Sequence, residues 1–169
     1  MNRRRALAAT VDRWVARVET GALVVLVALL TAVTFAQVIT RYVLNDPLIW
    51  SEEAARYLFI WVSMIGAALA IREGGHFGFE ILTRRMPGLR PILGPIVTTV
   101  TTAFVIVLFK SGIDETNLAS RQFAMTLPIR MTWAYLALPV GAGLMLFHIA
   151  IHVIRAPTIH ILSIRERPE

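Results

Sequence analysis

The sequence predicts an all-α integral membrane protein of four transmembrane helices, with both termini in the cytoplasm and an amphipathic segment at the amino terminus. Three observations carry this. Of the 169 residues, 56% are hydrophobic and only 17% charged, where a soluble domain carries roughly a quarter charged. The apolar residues gather into runs long enough to cross a bilayer, and mean hydropathy is +0.64. The basic residues fall between those runs, and they fall unevenly.

Residues 1–20 are basic and partly amphipathic, with Leu7, Val11, Trp14, Val15 and Val18 at helical spacing and Arg13 and Arg17 between them. Two readings stand level here. The segment lies on the membrane surface, or it simply extends the first span. That span covers about 21–40, carries no charge, and at 1.5 Å per residue matches a hydrocarbon core of about 30 Å. It is longer than a signal-peptide core and ends without a small-residue cleavage pattern, so it is expected to be retained.

Asn45-Asp46-Pro47 reads as a turn, with Asp46 as N-cap and Pro47 at the first position of the second helix. The second span covers about 54–72, with Gly74-Gly75 as its stop. A basic loop leads to the third span, about 91–109, whose first half holds Thr98, Thr99, Thr101 and Thr102. A polar connection over 110–132 leads to the fourth, about 133–154, where Pro139 is a candidate kink. The whole of 1–169 reads as one membrane domain.

Orientation follows from charge. Twelve of the 17 basic residues lie in the amino terminus, the loop after the second span and the tail, and four lie on the opposite side, with Arg56 inside a helix. Short loops rich in arginine stay in the cytoplasm. The net charge of +6 is therefore assigned to topology and anionic lipid, and nucleic acid is not expected as a partner.

The chain has no cysteine, which excludes disulfides and thiolate chemistry. Nucleophile-elbow, zincin and P-loop patterns are missing, and no enzyme activity, cofactor or metal is expected. His148 and His152 share a helix face. They are read as interfacial histidines near the cytoplasmic end rather than as haem ligands.

The most distinctive stretch is Trp50-Ser51-Glu52-Glu53-Ala54-Ala55-Arg56-Tyr57, followed by Trp61. Glu52 and Arg56 stand at i,i+4 in the favourable order, with Glu53–Arg56 as an i,i+3 option. The cluster serves either as a functional interfacial charge group or as a helix start anchored by aromatic residues in the interface. Ser63, Gly66, Ala67 and Ala70 form a small-residue stripe suited to close helix packing, within the subunit or against a partner. Charges deep within the spans and paired broken helices are not apparent. This favours a supporting subunit over a self-contained carrier.

Arg41-Tyr42, then Trp50-x-Glu52-Glu53-x-x-Arg56-Tyr57, Trp61, Gly66-Ala67-Ala68 and Arg72-x-Gly74-x-His76 follow in order. Leu127-Pro128-Ile129, Trp133-x-Tyr135 and Pro139-Val140-Gly141 come later. Over nearly its whole length the chain resembles the small membrane subunit, the DctQ-type family, of tripartite ATP-independent periplasmic (TRAP) transporters. Phe77-Gly78-Phe79-Glu80 departs from the β-branched run ending in Asp that the resemblance leads one to expect.

The resemblance implies a multi-pass protein of the bacterial inner membrane that pairs with a large TRAP membrane subunit. A periplasmic substrate-binding protein would deliver an organic acid, and an ion gradient would drive its uptake. On that view Arg41, Trp50, Glu52, Glu53, Arg56, Tyr57 and Trp61 are candidates for the partner interface or an interfacial anchor, and none is assigned to substrate. The competing readings are a haem-bearing anchor of a respiratory enzyme and a stand-alone small channel.

Overall fold

The computed structural model describes residues 3–73 and 90–155; the expected Gly74-Gly75 stop, the rest of the basic loop including His76 and Phe77–Glu80, and the tail lie outside them. Among the described residues there are five helices, α1 Arg3–Tyr42, α2 Ser51–Arg72, α3 Arg90–Ala119, α4 Thr132–Tyr135 and α5 Ala137–Arg155. Four helical segments among them are long and apolar enough to cross a membrane, with α4 and α5 together forming the fourth. This is the expected all-helical class.

The helices pack as a row. α2 lies between α1 and α5, and α3 packs on the far side of α5. The core sits where α2, α3 and α5 meet, built from Ala68, Val105, Ala142 and Met145 with Met64, Leu108 and Phe109 around them. Small side chains at the crossing allow the close approach. A Cβ on Gly141 would stand 2.7 Å from the Cβ of Met64, and one on Gly112 would stand 2.9 Å from that of Leu138. Thr98 and Thr102 of α3 donate to Gly94 and Thr98 carbonyls one turn back, so each satisfies its hydroxyl within its own helix.

Two expectations are corrected, and the candidate kink of the fourth span is located. α2 does not begin at Pro47. Asn45 takes a positive φ of 50°, residues 46–50 form a turn, and the Ser51 hydroxyl closes it by donating to the Leu48 carbonyl at 2.7 Å. A left-handed residue ends the α1 exit instead of starting a helix. The fourth span breaks one turn before Pro139. Lacking an N–H, Pro139 cannot bond the Tyr135 carbonyl, and the helix is interrupted at Leu136. The polar connection also starts later than read, because α3 continues through Lys110, Asp114 and Glu115 to Ala119.

The two level readings of the amino terminus are separated by α1, which is one continuous helix of 40 residues. Asp12, Ala16 and Glu19 are buried against the other helices, while the outer face carries Val11, Trp14 and Val18, 49%, 62% and 68% exposed, together with exposed Arg13 and Arg17. Buried carboxylates behind an outer face of mixed apolar and basic side chains suit a helix that enters the bilayer through its interface.

Candidate functional site

Polar chemistry concentrates at two places, one at each end of α2. The first is at its start. Glu53 reaches across to the 120–131 loop, where its carboxylate accepts from the backbone N–H of Met125 at 3.1 Å and of Thr126 at 2.8 Å. The Thr126 hydroxyl and, at 2.8 Å, the Tyr57 hydroxyl donate to the same carboxylate. The loop is itself a narrow antiparallel turn, with a bridge between Phe123 and Arg130 and an Ala124 N–H to Ile129 carbonyl bond of 3.0 Å. Arg130 closes it by donating to the Ser120 carbonyl at 3.0 Å and lying over the Phe123 ring. Two backbone donors that would otherwise point away from any strand thus meet one charged acceptor, the stronger kind of hydrogen bond.

Trp61 strengthens this connection two turns later, its indole donating to the Trp133 carbonyl at 2.9 Å. Tyr57, Trp61, Leu127, Ile129 and Trp133 also line an apolar pocket of about 380 Å³ together with Leu26 of α1. Among the expected site residues, Glu53, Tyr57 and Trp61 are therefore brought together. The others stand apart from them. Glu52 and Arg56 form a 3.5 Å pair on the surface, 74% and 66% exposed, and the Glu53–Arg56 option is not taken. Arg41 is exposed and lies over the Tyr42 ring, and Trp50 is 42% exposed.

The small-residue stripe is divided as well. Ala67 packs on the core cluster, but Ser63 and Ala70 are exposed, and a Cβ on Gly66 would meet nothing within 4 Å. With Glu52, Arg56 and Phe59 they make up the outward face of α2.

The second place lies where α1, α2 and α5 meet, and the sequence reading missed it. His148 is fully buried among the helices. Its Nδ1 is 3.0 Å from Asp12 Oδ1, and its Nε2 is 3.1 and 3.0 Å from the two oxygens of Glu19. Arg72 Nε donates to Asp12 Oδ2 at 3.3 Å, and the Arg72 carbonyl stands 3.0 Å from His152 Nε2. Both ring nitrogens of His148 are engaged by carboxylates, which leaves neither for a haem iron. The signal was present in the chain as Asp12, Ala16 and Glu19, spaced i, i+4, i+7 on one helix face. The sequence reading followed the apolar positions and the arginines of this segment and did not weigh these two carboxylates.

The family model for the DctQ component of tripartite ATP-independent periplasmic transporters matches residues 30–158. The chain is 35% identical over 126 residues to the sialic acid TRAP transporter small permease protein SiaQ of Vibrio cholerae, covering 72% of this chain and 71% of that one. It is also 35% identical over 116 residues to the sialic acid TRAP transporter permease protein SiaT of Haemophilus influenzae, 68% of this chain but only 19% of that longer protein. A third relative, the C4-dicarboxylate TRAP transporter small permease protein DctQ of Vibrio cholerae, is 32% identical over 80 residues, 47% of this chain and 34% of that one. With a family match over most of its length and four helices able to span a bilayer, the chain belongs to the DctQ component family and is a multi-pass small membrane subunit of the TRAP transporters.

Proposed function

We propose that this subunit is the static scaffold of a secondary transporter in the bacterial inner membrane. As one membrane domain with both termini in the cytoplasm, it enlarges the platform around a large TRAP membrane subunit. That partner moves an organic acid delivered by a periplasmic substrate-binding protein, driven by an ion gradient. The matched stretch occupies under a fifth of the longer permease SiaT, which supports a large membrane partner.

The observation that carries the scaffold reading is the division of α2. One face is committed to α1 and α5, while the opposite face, from Glu52 and Arg56 through Phe59 to Ser63, Gly66 and Ala70, has no partner within the described residues. Small side chains on an outward helix face admit a second helix at close range. Glu53, Tyr57 and Trp61, by contrast, are used in holding the loop.

Co-purification of the tagged subunit from native membranes, with mass spectrometry of what accompanies it, tests this. A stoichiometric large membrane protein is expected, lost on Gly66→Leu or on Glu52→Lys with Arg56→Glu while the isolated subunit keeps its melting temperature. Retention of the partner by both variants would remove this face from the interface. A subunit that purifies alone would refute the scaffold reading.

A further inference from the structure

We propose that Asp12, Glu19 and His148 form a proton-binding site inside the membrane domain, and that the bound proton holds α1 against α5. This rests on the arrangement of this chain and is independent of the transporter reading.

The argument is one of hydrogen counting. Each ring nitrogen of His148 lies 3.0–3.1 Å from a carboxylate oxygen, Nδ1 facing Asp12 and Nε2 facing Glu19. A contact of that length between two acceptors is repulsive, so a hydrogen has to lie in each. A neutral imidazole carries only one N–H. Two ionised carboxylates flanking it on both sides therefore require one proton more, shared among the ring and the two carboxyl groups. His148, Asp12 and Glu19 are 0%, 3% and 4% exposed, so the three groups face one another rather than solvent.

The surroundings agree. Asp12 and Glu19 of α1 face His148 directly, Arg72 of α2 donates to Asp12, and His152 on α5 stands one turn on and meets the Arg72 carbonyl. Without the extra proton a neutral imidazole would sit between two buried carboxylates with a hydrogen for only one of them, which is costly. The two acidic residues are seven apart, two turns along one face of α1, and bracket the single imidazole. Loss of the proton turns a two-point attachment into a repulsive contact between α1 and α5. Arg72, with 27% of its side chain exposed, connects the cluster to the carboxyl-terminal end of α2.

The test is nuclear magnetic resonance on the full chain in nanodiscs near neutral pH, with ¹⁵N-labelled histidine and ¹³C-labelled aspartate and glutamate. The His148 signals are assigned by their loss in His148→Gln. The expected result is two N–H signals from the His148 ring, or one with a protonated Asp12 or Glu19 carboxyl. A ring with a single N–H beside two ionised carboxylates would overturn the proposal.

A charge-compensation pair gives a second readout. His148→Gln should lower the melting temperature, and adding Glu19→Gln should recover part of the loss, because it removes the excess negative charge. A double variant that melts lower still would count against the site. If His148→Gln does not fold, the His76→Gln, His152→Gln and His160→Gln variants assign the other three histidines, and the remaining ring signals of the unmodified chain decide.

Discussion

Glu52 and Glu53 lie side by side at the start of α2, yet only Glu53 faces the 120–131 loop. Helical geometry turns neighbouring residues about 100° apart, so one points to the surface pair with Arg56 and the other to the backbone of Met125 and Thr126. Removing Glu52 takes away an exposed ion pair that contributes at most about 0.5 kcal/mol. Glu53→Ala leaves two backbone donors and two hydroxyls without their common acceptor. The expected outcome is faster amide hydrogen exchange at Met125 and Thr126 and a lower melting temperature. Glu53→Gln falls between, since the amide keeps one acceptor oxygen, and Glu52→Gln changes neither readout. Equal protection at these amides in Glu53→Ala would mean that the loop holds its shape alone. From sequence both carboxylates were candidates for one role, because which of two adjacent residues meets a loop some 70 positions away depends on helix phase and partner placement.

Glycine positions on two helices show the same contrast between faces. Gly141 of α5 abuts Met64, where a Cβ would come within 2.7 Å of the Met64 Cβ and 3.2 Å of its carbonyl oxygen. Backbone cannot yield as a flexible side-chain tip can, so Gly141→Ala should destabilise the isolated subunit by about 1–3 kcal/mol through overpacking. Gly66 of α2 has open space, and Gly66→Ala should be neutral or stabilise by up to about 1 kcal/mol through helix propensity. Reversible denaturation in detergent checks both, and equal effects would mean that the α2–α5 crossing is not tight. The Ser63–Ala70 stripe was legible as a packing surface, whereas the side it serves was not. Only Ala67 of the four turns toward the core.

The helices of the row do not carry their apolar stretches at one level. At 40 residues, α1 is roughly 60 Å long, about twice the hydrocarbon thickness. Asp12 meets Arg72 and Leu26 lies beside Tyr57 and Trp61, so Val38 stands roughly 18 Å beyond Leu26 along α1, past the first residue of α2. On the other flank Phe109 stands beside Gly143, and Gly141 meets Met64, which puts Lys110 level with the middle of α2. An upright row would expose apolar Val38 to water and sink Lys110 into lipid. An oblique row avoids both costs. Because the chain has no cysteine, single substitutions with a membrane-impermeant maleimide on intact cells can test this. Lys110→Cys, Asp46→Cys and Met125→Cys are expected to react from outside, and Val38→Cys is not. Labelling of Val38→Cys without Lys110→Cys would restore the upright row, and labelling of none until the cells are opened would reverse the orientation.

The number of candidate spans and the family could be read directly, because they depend on local properties. A bilayer demands about 20 consecutive apolar residues with every backbone group bonded within the segment, and family motifs are ordered along the chain. Which face of each helix turns inward was decided only by packing. In water the polar side of the first 20 residues would face out, but in a bilayer burial against neighbouring helices is the less costly place for Asp12 and Glu19. His148 lies 136 and 129 positions from these two carboxylates. No spacing rule links residues so far apart, and only the antiparallel return of α5 along α1 brings imidazole and carboxylates together.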